Sequence, residues 1–382
     1  MSQKAGTRKK GVVRPNSHLR KAFLCLVLLV IMAMSGVSEA KVGGLCSNCH
    51  TMHNSQGGQP MARGDAGWGG SPGSTNPNPQ LLIASCLGCH SSTGSSAIEI
   101  LGDGSKIPIV FNTAGYPNPP LAGGNFFFVS LGTQDNDTKG HNIFSDDLNL
   151  EVAPGDDGRA CGNDSCHDNL DKTYSGAPPD IRTYGCGGCH LNANHHGNDH
   201  PPSQGGKVET AEQGWYRFLS GHMQAEGHGV EGYEDGDWEF SSGPGDHNEY
   251  KGKEVDGESG LLPTACGHTT TGFCTGCHPT FHADQGGLSS PFLRHPSDLV
   301  IPSSGEYANA FGGVYDPLVP VARLTVPDAP ESTVSPGSDM VMCLSCHRAH
   351  GSQYDAILRW DYKDVNLSIA FEGCGKCHTS KN

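Results

Sequence analysis

The apolar residues of this 382-residue chain gather in one run near the N-terminus and then only in short, scattered clusters. The run Ala22–Met34 follows a basic segment (Lys4, Arg8, Lys9, Lys10, Arg14, Arg20, Lys21) and precedes Ser38-Glu39-Ala40. A basic start, an apolar middle too short to span a bilayer comfortably and a small-x-small site read as a signal peptide over residues 1–40. The mature chain then starts at Lys41, and Cys25 leaves with the leader. Farther on, Asn125-Phe-Phe-Phe-Val-Ser predicts a buried strand and Val314–Val326 an extended, proline-broken segment. Ala211–Leu219 and Tyr354–Trp360 predict short helices. Gly67–Pro79 and Gly232–Gly245 are rich in Gly, Pro and Asp and read as loops.

Composition explains why the elements are so short. Hydrophobic residues are 35% of the chain, and Gly 54 with Pro 25 fill about a fifth of it. That is too little aliphatic side chain for an ordinary core of this length, so something else must occupy the centre. Charge narrows the partners. Loss of the leader removes seven basic residues and Glu39, leaving 18 basic against 39 acidic residues and a formal charge of −21. Such a field repels nucleic acid and anionic membranes, and suits cationic partners or positively charged mineral surfaces.

The cysteines identify the missing centre. Six pairs are C-x-x-C followed at once by histidine: Cys46/Cys49/His50, Cys86/Cys89/His90, Cys186/Cys189/His190, Cys274/Cys277/His278, Cys343/Cys346/His347 and Cys374/Cys377/His378. A seventh, formed by Cys161, Cys166 and His167, is C-x4-C-H. The short motif is the attachment signature of c-type haem. Two thiols on one turn add to the two vinyl groups, and the next imidazole ligates the iron. Zinc knuckles also use C-x2-C pairs, and an exported chain can hold disulfides. Neither demands histidine at the next position, which chance would supply six times over with a probability on the order of 10^-8. The longer loop keeps the same ends, so Cys161 and Cys166 are expected to hold a haem too, with a disulfide between them as the other reading. Seven covalent haem c groups are therefore expected. Cys266 is left over, as a free thiol, an intermolecular disulfide or an odd thioether.

An iron built for electron transfer needs a second ligand. Twelve histidines of the mature chain follow no cysteine pair, enough for every iron. His53, His282 and His350 come three or four positions after a proximal histidine. At that separation they cannot bracket the same iron and are expected on a neighbouring haem, which implies close haem pairs. His141 in Lys-Gly-His-Asn and His295 in Leu-Arg-His-Pro are the next candidates. Among His195, His196, His200, His222, His228, His247 and His268, the choice falls on His196 and on His247, whose acidic neighbour could orient its ring. The acidic stretch Glu231–Glu239 reads as a solvated loop in preference to a calcium site.

Motif spacings of 40, 75, 25, 88, 69 and 31 residues exclude a strict repeat array. The expected fold is a single multihaem cytochrome c domain, residues 41–382. It is mostly irregular coil with a few short helices and strands, wrapped around a stacked chain of c-type haems. Cys46-Ser-Asn-Cys-His-Thr-Met-His, Lys139-Gly-His-Asn, Leu293-Arg-His-Pro, Cys343-Leu-Ser-Cys-His-Arg-Ala-His and Cys374-Gly-Lys-Cys-His resemble the outer-surface multihaem cytochromes of metal-reducing bacteria. That group holds the doubled C-x-x-C-H proteins and the filament-forming hexahaem type. The resemblance implies bis-histidine haems in a continuous stack, with His53, His141, His282, His295 and His350 as distal ligands. It also implies a role passing respiratory electrons outward, to other redox proteins or extracellular acceptors. Self-association into a filament is implied as well. Two departures from the filament-forming relatives are an additional attachment motif and the lack of a histidine in Lys41-Val-Gly-Gly-Leu. The alternative is a multihaem reductase of a nitrogen or sulfur oxyanion with one open iron. The chain has no C-x-x-C-K motif, which leaves electron transfer without turnover as the leading expectation. Location is expected in the periplasm, on the outer surface or outside the cell.

Overall fold

Among the residues that the computed structural model describes, the longest run of α-helix is five residues. It describes residues 41–63, 73, 75–141, 143, 185–199, 205–220, 229–253, 267–275, 278, 295–363 and 372–380. The leader, Cys161, Cys166, His167, Cys266, Cys277, His200, His222, His228 and His282 lie outside these residues. The seventh haem, expected on Cys161 and Cys166, therefore rests on the sequence motif alone.

Five of the attachment motifs are single turns: α-helical at Cys46–Cys49, Cys86–His90, Cys186–Cys189 and Cys343–Cys346, and 3-10 at Cys374–Lys376. The helix Thr270–Cys274 ends at the first cysteine of another. The turns stay short because the bond from the histidine N–H back to the first cysteine carbonyl closes them, as in His50 to Cys46 and His347 to Cys343. The chain leaves extended at His50 and His347.

The main sheet has six short strands. In spatial order they are Leu299–Val300, Met340–Val341, Ala322–Arg323, Glu249–Lys251, Gly232–Glu234 and Gly206–Val208. All neighbours are antiparallel except Ala322–Arg323 and Glu249–Lys251, which pair in parallel with Ala322 opposite Tyr250. One face packs Tyr216, Val230, Tyr250, Ala322, Met340 and Met342. A second cluster joins Ile301, Ala310, Tyr315, Val321 and Val334, and a third joins Phe126, Val129 and Ile143.

A buried polar network crosses the sheet. Arg323 Nε donates to Glu249 at 2.8 Å and its Nη1 to Asp339 at 2.8 Å. Its Nη2 donates to the Thr333 carbonyl at 2.9 Å. Fully hydrogen-bonded, such charges cost little to bury, whereas removing one partner strands the others. The sheet positions the sites by its ends: Met340–Val341 runs directly into the Cys343–Cys346 turn.

Sequence expectation and structure differ in places. Residues 125–130 are not a strand. Asn125 Oδ1 accepts from its own chain at Phe127 N, which turns the segment into the 3-10 helix Val129–Leu131. Ala211–Leu219 is a turn followed by the 3-10 helix Tyr216–Phe218, and the helix expected in Tyr354–Trp360 shrinks to the 3-10 turn Asp355–Ile357. The Gly232–Gly245 loop begins with a sheet strand. Its acidic residues bind protein donors: Asp235 accepts from the Glu239 N–H and Glu239 from the Asn248 N–H. Among the described residues no helix is long and apolar enough to cross a membrane, and no group of three or more His, Cys, Asp or Glu could hold a bare metal ion.

Candidate haem sites

Four proximal imidazoles are aimed by carbonyls. His50 Nδ1 meets the Gln80 oxygen at 3.0 Å, His90 that of Pro108 at 2.9 Å, His190 that of Arg217 at 2.9 Å and His347 that of Ala356 at 2.7 Å. A carbonyl only accepts, so Nδ1 carries the proton and the Nε2 lone pair points away, ready for a metal.

Three of these carbonyls share an unusual origin. Gln80-Leu81, Arg217-Phe218 and Ala356-Ile357 are consecutive residues with φ between 48° and 62°. Left-handed backbone at a non-glycine residue is costly and persists only where its surroundings hold it. Here straps hold two of the pairs. Thr51 N–H donates to Leu81 O at 2.7 Å and Ile83 N–H to Cys49 O at 2.9 Å; Arg348 N–H donates to Ile357 O at 2.9 Å and Arg359 N–H to Cys346 O at 2.9 Å. The same geometry recurs on the tripeptides Gln80-Leu-Leu, Arg217-Phe-Leu and Ala356-Ile-Leu. This x-apolar-Leu pattern, downstream of the motif it serves, is a sequence signal that motif spacing does not capture.

The proximal rings face partner rings. His50 and His196 have centroids 6.1 Å apart, His90 and His195 6.3 Å, and His278 and His141, His190 and His350, and His378 and His295 all 6.2 Å. Two imidazoles bound to opposite sides of one metal through bonds of about 2 Å place their centres roughly 6 Å apart. Five pairs thus fit an iron between them. The partner His141 is aimed in the same way as the proximal rings, with Nδ1 2.7 Å from Ala349 O. Burial lowers the pKa of His90 and His347, and takes His190 to about 4 and His350 to about 3. These rings are neutral at pH 7, the state a ligand needs.

The other candidate histidines stand elsewhere. His247 is fully buried, stacked on Tyr315 at 3.6 Å, and both nitrogens are held, by Gly243 O at 3.1 Å and Glu249 at 3.1 Å. The acidic neighbour that takes its Nε2 lies two residues away and belongs to the sheet network. His195, passed over in the sequence, occupies a facing position instead. His268 has Nδ1 2.7 Å from Gly229 O and stacks on Trp215 at 4.8 Å. His53 is exposed in a left-handed turn and faces no imidazole among the described residues.

Successive motifs adjoin: the Cys186 thiol lies within hydrogen-bonding reach of Cys86 and that of Cys343 within reach of Cys274, while Cys89 is close to Cys49 and Cys346 to Cys374 and Cys377. His350 lies beside both His190 and His141, linking the two halves. The six short motifs therefore follow one another in space in chain order. No disulfide joins the described cysteines.

The family model described as the doubled CXXCH motif matches residues 336–382. The chain resembles the multihaem c-type cytochromes. It is 27% identical to the C-type cytochrome OmcS of Geobacter sulfurreducens over 85% of its own length and 80% of that protein. It is also similar to two solved structures. The Outer Membrane Cytochrome S filament from Geobacter sulfurreducens gives a TM-score of 0.38 at 18% identity, over 85% of each chain. The OmcS nanowires of the same organism give 0.39 at 20% identity, over 84% of each.

Proposed function

We propose that the mature chain carries seven haems, each iron held between two imidazoles, and conducts respiratory electrons outward at or beyond the cell surface. The observation that carries the reading is the set of five histidine pairs with centroids 6.1 to 6.3 Å apart. In this reading His196, His195, His350, His141 and His295 are the distal ligands opposite His50, His90, His190, His278 and His378. The distal ligands opposite His347 and His167 come from the remaining histidines, His282 among them; His247 is no longer assigned. An iron with two imidazoles has no open position for substrate, so the protein's part is to hold the irons close, in order and away from water.

Self-association into a filament belongs to the same proposal. It rests on His53, which is exposed and faces no imidazole of its own chain among the described residues, and so is available to a second copy. Export by removal of residues 1–40 completes the reading.

Intact-mass measurement of the purified protein should give seven haems, and the reduced protein should bind no carbon monoxide. Six haems would remove the site at Cys161 and Cys166. Rapid carbon monoxide binding by an iron would replace the conduit with a reductase.

A further inference from the structure

We infer that Lys41 is a positioning residue whose backbone and ammonium together clamp the His195–Asp199 loop, so that two adjacent histidines reach two different irons. This rests on His195 and His196 being distal ligands.

Consecutive residues that serve two metal centres share one backbone, and a small rotation of it misplaces both rings. Here His195 faces His90 and His196 faces His50. The loop itself supplies one turn bond, from Gly197 N–H to Asn194 O at 2.9 Å. Asn198 N–H adds a bond to Glu212 O at 3.2 Å, and the start of the described chain supplies two more. Lys41 N, an α-ammonium once the leader is removed, donates to Gly197 O at 2.5 Å, and Val42 N–H donates to His195 O at 3.1 Å. The two histidines are thereby tied down on both sides.

The side chain locks this strap to the sheet. Lys41 is 6% exposed. Its ammonium lies 2.8 Å from Glu234, in a sheet strand, and 3.7 Å from Asp199, in the histidine loop. It donates to Trp215 O at 2.5 Å and sits 4.6 Å from the centre of the Phe218 ring. That same ring packs 5.0 Å from His195. Glu234 has other donors: the Arg217 N–H bonds it and the Arg217 guanidinium is 3.9 Å away. What Lys41 adds is the link from Glu234 to Asp199, which couples loop to sheet. A buried ion pair loses most when one partner is removed, and here the loss falls on the loop that carries the two rings.

The test compares the haem-loaded wild-type protein with Lys41→Met, Lys41→Arg, His195→Ala and His196→Ala. Intact mass verifies leader removal and haem number; electron paramagnetic resonance and carbon monoxide binding report open irons. Each histidine variant should gain one high-spin, carbon monoxide-binding iron. Lys41→Met should keep full haem mass and gain up to two such irons, while Lys41→Arg, which can span both carboxylates, stays low-spin. If the histidine variants remain low-spin, the ligand assignment itself falls. If they open and Lys41→Met does not, the clamp is overturned alone. High-spin iron in Lys41→Arg, or disturbance of every iron in Lys41→Met, would also overturn it. Should Lys41→Met yield no holoprotein, Asp199→Asn weakens the loop end of the bridge and must open the same irons.

Discussion

Replacing His350 by alanine separates attachment from ligation at one iron. The residue is half-buried with its Nδ1 sealed from solvent, its ring 4.9 Å from the Phe126 ring centre and 6.2 Å from that of His190, and its backbone N–H donates to Gly123 O at 2.7 Å. That backbone bond survives the substitution, so the loop keeps its course. The lost ring leaves a cavity bounded by Phe126 and Gly123, costing roughly 3 kcal/mol by the behaviour of other large-to-small core changes, and the melting temperature falls by several degrees. Covalent haem is untouched, because Cys186 and Cys189 lie on another turn. Mass should be wild type less the side-chain difference. One iron, opposite His190, becomes high-spin and binds carbon monoxide, and one potential leaves the wild-type range. High-spin iron at the Cys343/Cys346 site instead, or a fully low-spin spectrum, would refute the pairing.

Three further outcomes follow from the geometry. Burial holds the His190 imidazole down at about 4, against about 6.5 in the unfolded chain, and an iron bond would keep it neutral too, so the unfolded state binds more protons between these values. Stability measured by denaturant titration should therefore fall as pH drops from about 6.5 towards 4; a flat profile would contradict a neutral, enclosed His190. Ala356→Gly removes the side chain from a residue at φ 54° and should leave thermal stability unchanged or raised by up to about 1 kcal/mol, whereas Ala356→Val should lower it and weaken low-spin ligation at His347. Arg323→Met strands Glu249 and Asp339 and should cost about 3–5 kcal/mol of stability without moving any haem spectrum, because the network touches no paired histidine.

What could be read in the sequence tracks how far each interaction reaches. Cysteines and proximal histidines are set by covalent chemistry within one turn, so spacing alone exposes them. Distal ligands are set by the path of the chain. His141, His196, His295 and His350 stand out from local patterns, and the structure places each across from a proximal ring. The same kind of argument singles out His247, and there the acidic neighbour belongs to a buried sheet network. His195 is visible as half of a histidine doublet, but a doublet shows nothing of which way each ring turns until Lys41 and Val42 are seen bracing it. The sheet is illegible for a related reason. Its strands are two or three residues long, below the length at which alternation becomes a signal, and their order depends on closures between distant segments.

The pairing of near with far gives the molecule the logic of a laced boot. His50 waits for His196, His90 for His195, and His190 for His350, each supplied much later in the chain than the ring it faces. On the proposed reading, a chain exported from its N-terminus onward has an early haem fastened to its cysteines well before its second imidazole exists outside the membrane. A nascent or clipped fragment would then be a string of half-tied irons, reactive towards small ligands and poor at relaying charge. Conduction along the sites would arrive only as the last eyelets, His350 and His378, are drawn in.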